Sequence, residues 1–422
     1  MKDFEEKENA NIEHIRYHFK QLSNLYGFSF MAPSPIELLS VLETKSGPAI
    51  KDEIYFFKDK GEREVALRYD FTVGLTRYAA SQKSMKLPAK ISSAGGVWRY
   101  DEPQKARFRY FNQWDIEIFG KLNLEHDAEV IEFTSKFFKK INLKNVEIDI
   151  SHRKLAESYI HKIFETEDAK TTADILRAVD KIVKKSKQEI LSEYKEKGYS
   201  SEKLEKIIQF SETIGTPESI EAEWDTNTLD GWNEIKVVFE SLRYRNVKNI
   251  RINFGIVRGL DYYSGIVFEV FDMHPENNRA IAGGGSYANL LQIFNESPLA
   301  GVGFGLGDVT LKDFLESHKL LPDFNKAESD VLIVYTEDTL SIDAIQLAEK
   351  LREKLNVECH LGRVKFNKII KLAENKGHSF VLIIEKRDEV LSIQLKDLVK
   401  KTSMQVEHGG ISEILKLIKD KA

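Results

Sequence analysis

The stretch 111–119, FNQWDIEIF, alternates polar and apolar side chains. As a strand it turns Gln113, Asp115 and Glu117 to one face and Trp114, Ile116 and Ile118 to the other. Upstream lies GGVWRYDEPQKARFR (95–109), a strand pattern that starts at Gly95-Gly96 and carries Arg99, then a polar loop with Lys105, Arg107 and Arg109. A hairpin of this form sets an arginine fork and two hydrogen-bonding side chains over one sheet face. Arginine suits phosphate because its planar donors bind two oxygens at once. The bland alternative is a solvated sheet face, and the basic neighbours weigh against it. A second arginine, Arg258, stands in VRGLDYYSG (257–265), ahead of the apolar alternation Ile266, Phe268, Val270 and beside Tyr262 and Tyr263. A third polar set is Arg68, Asp70 and Thr72, which share one face if the segment is extended.

The run Gly301-Val302-Gly303-Phe304-Gly305-Leu306-Gly307 alternates glycine with apolar residues. It matches neither the G-x-G-x-x-G dinucleotide pattern nor a P-loop. Alternating glycine in a strand strips side chains from one face, so that a flat ligand or another backbone can approach; tight sheet-to-helix packing is the competing reading. His14 and His18 stand at i,i+4 without a third ligand and read as helix-surface residues. Cys359 alternates with Val357 and Leu361 and reads as a core strand residue. No serine sits in a nucleophile elbow.

The elements that must position these residues follow from periodicity. Ile15, Phe19 and Leu22 give a helix over 13–26. Short alternating runs with turn glycines over 54–120 predict an antiparallel sheet. Residues 153–246 are rich in Lys and Glu and read as a mainly helical insertion, an inserted subdomain; sheet character returns over 250–271. Residues 317–330 look like a linker. Beyond it, the apolar runs 331–335 and 380–384 predict strands buried on both faces. Helical stripes of Ile342, Ile345, Ala348, Leu351 and of Phe366, Ile369, Ile370, Ala373 lie between them, which makes an α/β domain. With 422 residues and 42% hydrophobic content, two or three domains are expected. The single cysteine excludes an internal disulfide, no apolar run approaches a membrane span, and the charged N-terminal stretch is unlike a signal peptide. These features predict a cytoplasmic protein.

Together the segments resemble the class II aminoacyl-tRNA synthetases, specifically the histidyl-tRNA synthetase family. GGVWRYDEPQKARFRYFNQWDIEIFG is similar to the second class motif, and VRGLDYYSGIVFE to the histidine-specific signature. LRYDFT resembles the LRP-E/D-x-T element, AGGGSY the A-G-G-R-Y element, and residues 303–311 lie where the third class motif belongs. The resemblance implies an α+β fold: an antiparallel-sheet catalytic domain over 1–325, helical insertion included, and an α/β anticodon-binding domain over 326–422. It implies that Arg99 and Arg258 hold the α-phosphate of ATP, with Gly303 and Gly305 in the ATP site. Asp70, Thr72 and Gln113 would bind the α-amino group of histidine, and Glu117, Tyr262 and Tyr263 its imidazole. Mg²⁺ would accompany ATP, with no metal held by the protein itself. Histidine, ATP and histidine tRNA would be the partners, without a membrane, in a homodimer formed through the first class motif around 30–42.

Three departures stand out. Thr310 occupies the place of the third motif's arginine, whose loss would cost about 2–4 kcal/mol of transition-state stabilisation by analogy with an oxyanion donor. Ser286 and Ala288 replace an arginine and an acid, and Glu102 stands where a basic residue is common. They leave open a non-catalytic histidine-binding paralogue, such as an ATP phosphoribosyltransferase regulatory subunit, which lacks an anticodon-binding domain. The net charge of −5 argues against broad nucleic-acid coating. Residues 326–422, however, carry 17 Lys and Arg against 16 Asp and Glu. Lys365, Lys368 and Lys371 fall on one side of a predicted helix there, a local patch of the kind single-stranded RNA needs.

Overall fold

The structure is a computed structural model, and it describes residues 3–46, 48–82, 84–100, 108–182, 185–257, 263–274, 280–288, 300–321, 329–387, 390–407 and 410–419. The chain divides into two compact units, Met1–Leu321 and Pro322–Ala422.

The alternating segments of the first unit pair into a nine-stranded sheet. Its spatial order is β1 (Ser29–Phe30), β5 (Ala89–Trp98), β6 (Tyr110–Gly120), β12 (Ala300–Gly307), β11 (Ala280–Tyr287), β10 (Ile266–Asp272), β7 (Val146–His152), β9 (Ile250–Asn253) and β8 (Ile214–Gly215). From β5 through β7 every neighbour is antiparallel, as an α+β fold requires. A smaller sheet joins β2 (Ile36–Leu38), β4 (Glu64–Leu67) and β3 (Phe56–Lys58). Trp114, Ile116 and Ile118 are wholly buried on one face of β6, in a core shared with α1 (Glu6–Leu25) and α4 (Leu124–Lys140). That burial is what fixes the register, since a one-residue slip would put Gln113, Asp115 and Glu117 into this core.

Helix α1 begins earlier than the apolar spacing predicts. Glu6–Ala10 carries no stripe, but Asn11 and Ile12 are buried, and Lys312 Nζ holds Glu8 at 3.0 Å. The helix stops where Gly27 takes φ +75°, the left-handed conformation that suits a helix end. His14 and His18 are half-buried rather than on the open surface, with rings 4.5 Å apart, and burial pushes both imidazoles down. A larger correction concerns Thr72. It opens α3 (Thr72–Ser81), which follows α2 (Leu39–Ser46) in the chain, so Arg68, Asp70 and Thr72 are not one extended face.

Between β7 and β9 the chain forms α5 (Arg153–Phe164), α6 (Ala169–Ile182), α7 (Lys187–Glu196), α8 (Ser201–Ser211), α9 (Pro217–Glu223) and α10 (Trp232–Tyr244), with β8 between α8 and α9. Ile175, Tyr194, Ile207 and Val238 belong to the same core cluster as Trp114 and Phe133. These helices therefore share the nine-stranded sheet's core instead of building their own. Helix α11 (Asp308–Ser317) closes the unit.

The second unit is a five-stranded mixed sheet in the order β14 (Val357–Arg363), β13 (Val331–Tyr335), β15 (Phe380–Arg387), β16 (Val390–Asp397), β17 (Thr402–Val406). Its first three strands are parallel and buried on both faces at β13 and β15. Helices α12 (Ser341–Arg352) and α14 (Ile411–Lys419) cover one face and α13 (Phe366–Asn375) the other. Three expectations change here. Helix α12 buries Ala344, Ala348 and Leu351 and leaves Ile342 and Ile345 exposed, because the small alanines let it sit close to the sheet. Cys359 is only half-buried and Leu361 is exposed, because β14 is an edge strand. On α13, Ile369 and Ala373 are buried while Phe366 is exposed, with Lys396 Nζ 5.1 Å above its ring.

Candidate active site

The face of β6 opposite the core carries the polar triplet. Gln113, Asp115 and Glu117 are 7%, 2% and 2% exposed, which removes the solvated-face reading. The neighbouring strand supplies the room: Glu117 pairs with Gly303, Asp115 with Gly305 and Gln113 with Gly307. A Cβ on Gly303 would lie 2.1 Å from Glu117 Oε2, and one on Gly305 3.2 Å from Gln113 Nε2. On the far side, a Cβ on Gly301 would meet the Tyr287 ring at 2.3 Å, and one on Gly285 the Tyr263 ring at 3.0 Å. The alternating glycines thus form a floor under protein side chains, where the sequence suggested a flat ligand, another backbone or tight sheet-to-helix packing.

Tyr287 is the residue that sequence reasoning passed over. Its hydroxyl donates to Glu117 Oε2 at 2.7 Å, and the ring is 2% exposed. Burial first, and then the Glu117 carboxylate, push the Tyr287 phenol well above its ordinary value, so it stays protonated and donates. One signal was available: Tyr287 falls two residues after Gly285 on a strand, hence on the same face. What the sequence lacked was the pairing of Tyr287 with Gly301, which brings it diagonally to Glu117. Asp115 was recognised on the face and given no task; Gln113 Nε2 donates to its Oδ2 at 2.9 Å.

Arg99 leaves the end of β5 with its guanidinium 5.0 Å from the Phe111 ring centroid, and its Nε donates to Tyr69 O at 3.2 Å. That bond ties the arginine to the segment bearing Asp70. Asp70 Oδ1 accepts from Val73 N at 3.4 Å, at the start of α3, and Thr72 is buried beside it. Arg68 is committed to structure: its side chain donates to Gly96 O and Pro33 O, at 2.8 and 2.6 Å. Tyr263 is buried and lies within electrostatic reach of Tyr287. The structure sets Gln113, Glu117, Gly303, Gly305 and Tyr263 on or beside one face, with Arg99 against Phe111 and the segment bearing Asp70 and Thr72 tied to Arg99 through Tyr69 O. Arg258 and Tyr262 lie outside the described residues, as do Glu102, Lys105 and Arg107.

At the third-motif position, Thr310 is half-buried on the first turn of α11. Asp308 beside it is buried, accepts from Asn112 Nδ2 at 3.2 Å, and is pushed by burial up to about 6. Among the described residues no cluster of three metal-ligating side chains occurs. No helix among them is long and apolar enough to cross a membrane. The arrangement can pair an acceptor and donors with a small polar ligand over a largely buried face, with Arg99 beside Phe111 available to an anion.

A profile of histidyl-tRNA synthetase matches residues 1–309. The histidine–tRNA ligase of Pyrococcus horikoshii is 31% identical over 92% of this chain and 90% of its own length. That of Clostridium tetani is 31% identical over 98% of this chain and 94% of its own. In structure, histidyl-tRNA synthetase from Nostoc sp. PCC 7120 superposes with a TM-score of 0.83 at 23% identity, covering 100% of this chain and 98% of that one. An ATP phosphoribosyltransferase regulatory subunit/histidyl-tRNA synthetase from Bacillus halodurans gives 0.73 at 18%, over 92% and 97%. The matched profile, the relatives' near-complete coverage and the shared class II fold agree: the chain belongs to the histidyl-tRNA synthetase family.

Proposed function

We propose that this protein is a histidine–tRNA ligase, which activates histidine with ATP and transfers it to the 3′ end of histidine tRNA. The observation that carries the reading is the buried Tyr287–Glu117 pair over the glycine floor. Tyr287 holds the Glu117 carboxylate in place by its bond to Oε2, and a carboxylate so held is an acceptor suited to a ring N–H. A site built to pair both imidazole nitrogens rejects amino acids that lack them. Tyr263, with Tyr262, supplies the remaining ring contacts. Asp70, Thr72 and Gln113 bind the ammonium group, and Gly303 and Gly305 keep the ATP side of the floor low.

Arg99 and Arg258 hold the α-phosphate. The histidine carboxylate attacks phosphorus in line, pyrophosphate leaves, and a ribose hydroxyl of the tRNA then attacks the acyl carbon and releases AMP. The protein's part is to align two anions and neutralise developing charge. Mg²⁺ enters with ATP as part of the substrate. Residues 1–325 form the catalytic domain and 326–422 the anticodon-binding domain, with Lys365, Lys368 and Lys371 exposed on and beside α13. Exposed Phe30, Ile36, Leu38, Phe56 and Phe57, in and around the first-motif segment, support a homodimer. We place the protein in the cytoplasm.

Thr310 favours a second reading, a histidine-binding protein that no longer activates the amino acid. Acylation of tRNA with labelled histidine separates the two. The ligase esterifies histidine to tRNA, whereas calorimetric histidine binding without any acylation supports the second reading.

A further inference from the structure

We propose that Asp115 is a positioning residue: it fixes the Gln113 amide so that Oε1 faces the α-ammonium group of the substrate. The inference rests on the reading that Gln113 binds that group. A glutamine amide is nearly symmetric in shape, and rotating it by half a turn exchanges an acceptor for two donors. Only the acceptor end attracts an ammonium ion. Something must therefore decide which end faces the ligand.

Asp115 makes that decision by chemistry. Gln113 Nε2 donates to Asp115 Oδ2 at 2.9 Å, so the carboxyl oxygen takes the donor end of the amide. Oε1 is then left for the ligand. The two side chains are neighbours on the same face, and Asp115 is 2% exposed, so water does not compete for the bond. Gly305 allows the arrangement: a Cβ there would stand 3.2 Å from Gln113 Nε2 and 3.3 Å from Asp115 Oδ2, crowding the pair. Arg68 feels the Asp115 carboxyl electrostatically, and the two carbonyl bonds of Arg68 hold that guanidinium in place.

The test is histidine-dependent ATP–pyrophosphate exchange with the full chain. It is read beside inhibition by imidazolepropionate, which keeps ring and carboxylate and lacks the amino group. Asp115→Leu is expected to raise KM for histidine about 10-fold, with KM for ATP and the inhibition constant of imidazolepropionate within about twofold of wild type. Gln113→Glu sets two carboxylates together and is expected to act similarly. Combining it with Asp115→Asn restores one donor between the positions and should return KM for histidine to within about threefold of wild type. This combination also carries the test if Asp115→Leu does not fold. A combination no better than Gln113→Glu alone overturns the positioning role. So does an Asp115→Leu defect equal for histidine and imidazolepropionate, or no defect at all. Wild-type protein without histidine-dependent exchange overturns instead the reading of the site on which the proposal rests.

Discussion

Glycine at 301, 303 and 305 permits what no larger residue would, because the space above these positions already holds Tyr287, Glu117 and the Gln113–Asp115 pair. Gly303→Ala places a methyl group 2.1 Å from Glu117 Oε2 and 2.4 Å from Ile116 O, and the backbone oxygen cannot step aside. We expect this variant to lose histidine binding by calorimetry and to unfold at lower denaturant than wild type. Tyr287→Phe keeps the packing and removes the hydroxyl bonded to Glu117. Losing a buried hydrogen bond to a carboxylate costs about 1–3 kcal/mol. The expected outcome is a KM for histidine raised about 10-fold with KM for ATP unchanged, measured by exchange kinetics. At this scale the sequence was informative where chemistry is local: the period of two placed Gln113, Asp115 and Glu117 together. Tyr287 was hidden because its partner is distant along the chain and is joined to it only by strand register.

Element by element, patterns that depend on one periodicity were readable and those that depend on packing depth were not. The double-sided burial of β13 follows from five consecutive apolar residues. The face that α12 turns inward does not, since hydropathy favours its isoleucines and close approach favours Ala344 and Ala348. Helix α4 carries a further consequence. Asp127, on its first turn, is 5% exposed with Oδ1 unpartnered, and burial pushes it up to about 7 against the opposing hydrogen bond from the Ser286 hydroxyl. An unfolded aspartate titrates near 4, so below about pH 4 both states are protonated and no penalty exists. Between about pH 4 and 7 the folded state keeps a proton that the unfolded state has lost, and stability falls as pH rises. Above pH 7 the full penalty applies, on the order of 4 kcal/mol. Asp127→Asn should therefore be more stable than wild type in urea at pH 8, with the difference shrinking towards pH 5. A pH-independent difference would contradict the assignment.

For the whole molecule, the net charge of −5 hides local patches. Lys365, Lys368 and Lys371 are exposed on the second unit. Replacing all three by glutamate is expected to lower kcat/KM for tRNA about 10-fold or more while leaving histidine-dependent exchange intact, because tRNA contacts depend on phosphate neutralisation and amino-acid activation does not. Sedimentation at micromolar concentration should give a dimer, and a monomer alone would contradict the homodimer. If the site around Arg99, Gln113 and Glu117 activates histidine, ATP–pyrophosphate exchange reads that step without tRNA. Exchange is expected with histidine and no other amino acid, and to fall about 100-fold in Arg99→Ala. No exchange by wild-type protein, or exchange undiminished in Arg99→Ala, would contradict it.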